Sequence, residues 1–359
     1  MTNNFALERK LTLITHNPNP IDELTLEKLR EAAGKGPVLI LTHHNPDPDG
    51  LASGYALSIL LKKAWGIQSR LIYTGLVGRV ENRAMLKYLT PEWQKQKTIR
   101  KFDPYSAIAL VDTQAGCGNH ILSKKFRPSI VIDHHQSVLG SGEYIKYVDI
   151  RTEIGATSTM LFQYLEAAGI EIHGRLATAL FYGLKTDTRG LSRSTTSSDE
   201  YAYFKLLSNV DHHKLSQVEQ AQLPPVYFRA FDNALRSTRV YGKAVITVLE
   251  QMHSPDLPAE IADLLIRLSG IKAALCMGQY NDTLNLSLRT TPLYPYAGSL
   301  IHQVLDGLGM AGGHRVMAGG QVPIGKTAPN TIEAEITVRF LQAMGEKGPG
   351  KPLLSVKET

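Results

Sequence analysis

The chain has 359 residues, 43% hydrophobic and 20% charged, with a formal net charge of +6. That length accommodates two domains, and the composition is that of a soluble globular protein. No apolar run approaches the roughly 18 residues that span a bilayer, and Met1–Phe5 lacks the basic-then-apolar layout of a signal peptide. The basic balance suits an anionic partner without establishing a polynucleotide. Two cysteines, Cys117 and Cys276, stand far apart in no CxxC spacing. They argue against a disulfide framework or thiolate zinc site and predict buried, reduced thiols in a cytoplasmic protein.

Residues 1–35 read as a polar lead-in followed by an amphipathic helix from Asp22 to Ala33. From Pro37 to about Gly190, apolar strands alternate with helices. Val38–Leu41 is the first strand, and Gly50–Lys63 is a helix with Leu51, Ala56, Leu57, Leu60 and Leu61 inward. Ser69–Tyr73 is a second strand, Glu81–Tyr88 a helix, and Ala107–Val111 and Ser129–Ile132 are further strands. Continuous Val/Ile/Leu runs indicate strands covered on both faces, hence a parallel sheet. Ala156–Ala168, Arg175–Leu184 and Glu200–Ser208 read as helices. Residues 211–240 contain Pro224-Pro225 and little periodic apolar signal, so the domain junction is expected there. Strands resume at Ala244–Leu249, Ala273–Gln279 and Thr283–Arg289. The organisation read from the chain is therefore an extension over 1–35, an α/β catalytic domain over 36–210 and a linker over 211–240. A smaller α/β domain over 241–345 and a Lys/Gly/Pro-rich, disordered tail over 346–359 complete it.

The chemistry-bearing residues sit where these elements end. Val38–Leu41 runs into Thr42-His43-His44-Asn45-Pro46-Asp47-Pro48-Asp49-Gly50. Ala107–Val111 ends in Asp112, and Ser129–Ile132 ends in Asp133-His134-His135; Asp187 follows in Thr186-Asp187-Thr188. Open α/β sheets keep their sites at the C-terminal ends of strands. Several carboxylates and imidazoles with almost no competing sulfur favour manganese or cobalt, with magnesium less suited to imidazole. Two such ions about 3.5–4 Å apart, bridged by a carboxylate, hydrolyse phosphate esters by activating water and neutralising phosphoryl oxygens.

The set His43-x-Asn45-Pro46-Asp47-x-Asp49, Val111-Asp112-Thr113, Asp133-His134-His135 and Thr186-Asp187-Thr188 resembles the four motifs of the DHH phosphoesterase superfamily. Gly312-Gly313-His314-Arg315-Val316-Met317-Ala318-Gly319-Gly320 resembles the GGHxxAxG signature of the DHH-associated C-terminal domain. The resemblance implies an N-terminal parallel-sheet domain, a smaller α/β substrate-binding domain, and an active site in the cleft between them. It implies one metal on His43, Asp47 and Asp112, and a second on Asp49, Asp112, His134 and Asp187, with Asp112 the bridge. His135 would face the scissile phosphate. Gly312, Gly313 and His314 would hold the substrate's remote end, with Arg289 as a further substrate contact.

The activity implied is that of a manganese-dependent phosphodiesterase acting on short phosphate-bearing oligonucleotides such as pApA or nanoRNA, with 3′-phosphoadenosine 5′-phosphate a further candidate. Relatives are often dimers, so a homodimer is admitted. The alternatives are an exopolyphosphatase or pyrophosphatase, and a RecJ-like single-strand exonuclease. Gly50-Leu51-Ala52-Ser53 after Asp49 leans toward RecJ and polyphosphatase relatives, and Arg189-Gly190-Leu191 replaces the Gly-Arg-Phe of the oligoribonucleases. RecJ-type enzymes carry further domains that this chain does not show. A silent nucleotide sensor is disfavoured because every expected ligand is present. Asp211-His212-His213 repeats the triplet without a preceding strand and reads as a polar turn. Gly307-Leu308-Gly309-Met310-Ala311-Gly312 follows a helix, so it is no dinucleotide loop.

Overall fold

The structure is a computed structural model that describes residues 17–99, 104–123, 126–137, 145–193, 195–294, 296–313, 315–325 and 328–355. The chain divides into two compact units, Met1–Ala221 and Gln222–Thr359.

In the first unit, helix α1 (Glu23–Ala33) precedes β1 (Val38–Leu41), α2 (Pro48–Trp65), β2 (Ser69–Tyr73), α3 (Val80–Tyr88) and β3 (Gln94–Lys95). Strands β4 (Ala107–Val111), β5 (Ile130–Asp133) and β6 (Tyr147–Ile150) lead to helices α4 (Thr157–Ala167), α5 (Gly174–Asp187), α6 (Ser197–Leu207) and α7 (His212–Glu219). The six strands pair in the order β3-β2-β1-β4-β5-β6, every neighbour parallel. The apolar runs are buried on both faces, as a parallel sheet requires. Val38 and Ile40 pack with the α2, α4 and α5 side chains, whereas Leu39, Leu41, Ile108, Leu110 and Val131 form the core of the opposite face.

This order reverses direction between β1 and β4, which is where open α/β sheets leave a crevice at the strand C-termini. The register Val38↔Ala107 through Leu41↔Leu110 brings the exits of these two strands side by side. Helix α2 then packs against α5 and α4, and Gly183 of α5 makes the close approach possible. A Cβ there would collide with Ser158 Oγ and lie 3.1 Å from both Ala52 Cβ and the Pro48 carbonyl oxygen.

The second unit holds α8 (Pro225–Ser237), β7 (Arg239–Tyr241), β8 (Ala244–Gln251), α9 (Leu257–Leu265), β9 (Ala273–Tyr280), β10 (Thr283–Thr290) and α10 (Ala297–Leu305). Strands β11 (Met310–Gly313) and β12 (Met317–Pro323), helix α11 (Pro329–Met344) and β13 (Lys351–Pro352) complete it. Its sheet runs β11-β12-β10-β9-β8-β7-β13, with β8 and β9 parallel and the other pairs antiparallel.

Several sequence expectations are corrected here. The segment 211–240 is not a linker: it forms α7, α8 and the start of β7. Tyr227, Ala230, Phe231 and Ala234 recur at helical spacing and pack into the core of the second unit. Pro225 opens α8, where a missing N–H costs nothing, so the Pro-Pro pair starts a helix rather than a coil. The tail is ordered as far as Lys351–Pro352, which pair with Val240 and Arg239; Leu353 N also donates to Thr238 O at 3.0 Å. Backbone pairing to an edge strand leaves no mark in composition. Asp211-His212-His213 is the start of α7, Asp211 capping it by accepting from Lys214 N. Cys276 is buried but Cys117 is exposed.

Replacing Gly183 with alanine is expected to cost about 1–3 kcal/mol by overpacking the α2–α5 contact, read as a lowered denaturant midpoint with an unchanged slope.

Candidate active site

Site side chains leave the ends of β1, β4 and β5 and converge. Asp47 caps α2 by accepting from Gly50 N at 3.0 Å, and Pro48 occupies the first turn behind it. His43 Nδ1 donates to the His44 carbonyl at 2.9 Å. That fixes the tautomer and turns Nε2 inward, 3.5 Å from Asp112 Oδ2 and 3.6 Å from Asp47 Oδ1. His134 is held in the same way. Its Nδ1 donates to Ile154 O at 3.1 Å, and Nε2 lies 3.1 Å from Asp187 Oδ2 and 3.7 Å from Asp112 Oδ1.

Asp112 sits at the centre, 2% exposed, with φ 60°. A non-glycine residue in this left-handed region stores strain that the surroundings must hold. Its N–H donates to Ile132 O at 3.0 Å, and its Oδ1 accepts from Thr157 Oγ1 at 2.9 Å. Asp49 is 1% exposed and accepts from Thr157 N at 2.7 Å and Ser158 N at 2.8 Å. Gly50 is required beside them. A Cβ there would stand 2.5 Å from Thr42 Oγ1, 3.2 Å from Asp112 Oδ2 and 3.4 Å from His43 Nε2.

His135 is separate in function. Its Nδ1 donates to Asp133 Oδ1 at 2.8 Å and lies 3.7 Å from Asp112 Oδ1, and its side chain is 43% exposed. Asp133 is fully buried and accepts at Oδ2 from Gln114 Nε2 at 2.7 Å. Gln114 Nε2 also donates to the His135 and Gln136 carbonyls, pinning the turn after β5.

Burial, then the neighbouring charges of Asp112 and Asp187, push the Asp49 carboxyl well above the usual carboxylate range; burial also raises Asp112. Burial opposes charge on His43 and His134, but Asp112 and Asp47 beside the first and Asp187 and Asp112 beside the second raise both well above an ordinary imidazole. His135, likewise against its burial, is pushed up to about 9 by the Asp133 carboxylate.

Three sets of side chains could each hold a metal ion: His43, Asp47 and Asp112; Asp49, His134 and Asp187; and Asp112, His134 and His135. Within each set the donor atoms lie within 4.8 Å of one another. His134 Nε2 is the diagnostic atom. It is buried and has no hydrogen-bond partner among the described residues, because its short approach to Asp187 lacks hydrogen-bond geometry. A buried polar atom is ordinarily satisfied. This arrangement of oxygen and imidazole donors fits a divalent cation.

The seven side chains singled out from the sequence in this unit thus lie together. Those in the second unit differ. Gly312 and Gly313 are exposed on β11, and Gly313 has φ 156° with a Cβ position that would collide with Ala318. His314 lies outside the described residues. Arg289 is not an open strand residue: it is 9% exposed and donates to Asp263 Oδ1 at 2.6 Å and Ser287 Oγ at 2.7 Å. Sequence reasoning named Asp133 in its triplet without a role and missed Gln114 and Thr157, whose partners are fixed only by the fold.

Residues 37–184 match the DHH family, N-terminal domain. An uncharacterised protein of Methanocaldococcus jannaschii, MJ1633, is 32% identical over 333 residues, which is 90% of this chain and 67% of that protein. The chain belongs to the DHH family of phosphoesterases. A probable manganese-dependent inorganic pyrophosphatase of Streptococcus pyogenes is 24% identical over 246 residues, 64% of this chain and 78% of that protein. An exopolyphosphatase-related protein from Bacteroides fragilis shares the fold with a TM-score of 0.69 at 15% identity, covering 90% of this chain and 97% of that one. RecJ from Thermus thermophilus, solved with Mn2+, gives a TM-score of 0.52 at 13% identity over 93% of this chain and 57% of its own. No helix among the described residues is long and apolar enough to cross a membrane.

The raised pKa values have a consequence for the metal-free DHH protein. A histidine whose folded pKa lies above its unfolded value of about 6.5 stabilises fully below that pH and loses the contribution as pH rises through the folded value. Raised Asp49 and Asp112 act in the same direction. Thermal scans of chelated protein are therefore expected to show a midpoint falling between about pH 6.5 and 9, and Mn2+ is expected to flatten that slope.

Proposed function

We propose that the protein is a divalent-metal phosphodiesterase hydrolysing short phosphate-bearing oligonucleotides of the size of pApA. The observation that carries this reading is the Asp133–His135 pair at the rim of the carboxylate–imidazole cluster. Cations held by His43, Asp47 and Asp112, and by Asp49, Asp112, His134 and Asp187, would supply Lewis acidity toward phosphoryl oxygens and water. Manganese suits this donor set, and the streptococcal relative's name specifies it.

His135 does the part that protein alone must do. Nδ1 is committed to Asp133, so Nε2 is the atom that gives or takes a proton. The Asp133 carboxylate favours the protonated ring, raising it to about 9 in the metal-free protein, and the side chain is exposed enough to meet a ligand. A sugar alkoxide is a strongly basic leaving group and gains from a positioned acid; a phosphate leaving from an anhydride is far less basic and gains little. An acid braced in this way therefore favours an ester substrate. In the second unit, exposed Gly312 and Gly313 are the proposed phosphate contacts; at Gly313 a Cβ would collide with Ala318.

A second reading, hydrolysis of pyrophosphate or polyphosphate, is favoured by the match to the streptococcal pyrophosphatase over 64% of the chain. The test is an equimolar mixture of pApA, a longer single-stranded RNA and polyphosphate with Mn2+, its products resolved over time. Early AMP supports the ester reading; orthophosphate with pApA intact overturns it.

His135→Ala is expected to lower kcat on pApA by about 10²–10⁴-fold. Cleavage of an anhydride by the same variant is expected to fall much less. Equal losses on both substrates would remove the general-acid role.

A further inference from the structure

Within the five residues 154–158, three touch three different members of the site. The Ile154 carbonyl accepts from His134 Nδ1 at 3.1 Å. The Thr157 and Ser158 N–H groups donate to the two oxygens of Asp49 at 2.7 and 2.8 Å, and Thr157 Oγ1 donates to Asp112 at 2.9 Å. These amides are the first donors of α4, which a helix leaves without internal partners. Its N-cap residue is Ala156, whose side chain cannot accept a hydrogen bond. Asp49, 108 positions earlier than Thr157, takes the place of the cap. Thr157 and Ser158 are fully buried, so water cannot substitute for these bonds.

Both sides of this segment are tied to one carboxylate. Asp199, fully buried, accepts from Gly155 N at 3.0 Å and from Thr159 Oγ1 at 2.6 Å. The same carboxylate accepts from Thr196 N and Thr196 Oγ1, each at 2.8 Å, closing the capping box of α6. One side chain thus fixes the starts of two helices and brackets Ala156–Ser158.

We propose that residues 154–158, clamped by Asp199, are the positioning element that presets His134, Asp49 and Asp112 for metal. Asp199 and Thr157 are positioning residues: they act through the three side chains they orient. This rests on the metal reading given under Proposed function. Groups that orient metal ligands from behind are worth about 10–100-fold in metal affinity.

The test is Mn2+ titration of chelated protein by calorimetry, alongside melting of the metal-free form. Thr157→Val keeps the volume and backbone N–H but removes the hydroxyl; Thr157→Ser restores it. Thr157→Val is expected to weaken Mn2+ binding at least about tenfold, and Thr157→Ser to stay within about threefold of the unmodified protein. Asp199→Ala is expected to lose affinity together with stability. Asp199→Asn, which can still accept from Gly155 and Thr196, is expected to restore most of both. Should Asp199→Ala fail to fold, Thr159→Val removes one arm of the clamp alone and is expected to weaken binding without unfolding. Affinity unchanged in both Thr157→Val and Thr159→Val would overturn the inference while leaving the metal reading intact. An unmodified protein that takes up no Mn2+ would overturn both.

Discussion

Two carboxylates, Asp49 and Asp112, are sealed from water in one cluster that also holds Asp47 and Asp187. Burying even one isolated carboxylate is costly, and like charges at short range add to that cost. Much of the first unit can be understood as compensation. His43 and His134 turn their Nε2 edges toward these acids because each Nδ1 is tied to a backbone carbonyl. Asp49 receives the first two amides of α4, where the partial positive charge of a helix start is concentrated. Asp112 gains a hydroxyl and accepts a left-handed backbone in return. The histidines respond by holding protons above their ordinary range, so a cation entering the cluster displaces charge already gathered there.

Topology decides where that cluster can exist. In a parallel sheet, each strand delivers its last residue to the same edge, and the order β3-β2-β1-β4-β5-β6 turns the chain away in opposite directions from β1 and β4. His43 follows β1 and Asp112 follows β4, so they flank the point where the strand order reverses direction. Helix α2 starts there because Asp47 caps it, and the same residue carries a carboxylate into the cluster. Gly50 follows where backbone passes close to Thr42, His43 and Asp112 together. Fold and chemistry share these residues, so neither can be altered alone.

The strands were legible in the sequence because two-sided burial writes itself as unbroken aliphatic runs; Val38–Leu41 and Ala107–Val111 are read directly. The site residues were legible because each stands immediately beyond such a run or at a helix end. What did not show was any residue whose role is a hydrogen bond across many positions. Thr157 meets Asp112 across 45 positions and Asp199 meets Gly155 across 44, and nothing local marks either. Arg289 shows the same limit. Strand alternation places it without revealing Asp263 on α9, which accepts from its Nε. Likewise the helical spacing of Tyr227, Phe231 and Ala234 was masked by the prolines before it.

The letters Asp-His-His occur twice in this chain, and only one occurrence sits among the other acids. At the exit of β5, successive side chains turn to different sides, so the triplet divides its labour. Asp133 points inward to brace His135 and meet Gln114, His134 turns to Asp112 and Asp187, and His135 keeps an exposed edge. At Asp211-His212-His213 the same letters open a helix, and the carboxylate is spent on Lys214 N and Nζ. That carboxylate serves a cap and a surface ion pair. The motif is thus a statement about strand ends as much as about residues: three consecutive groups form a site only where extended backbone parts them and neighbouring strands supply what they face.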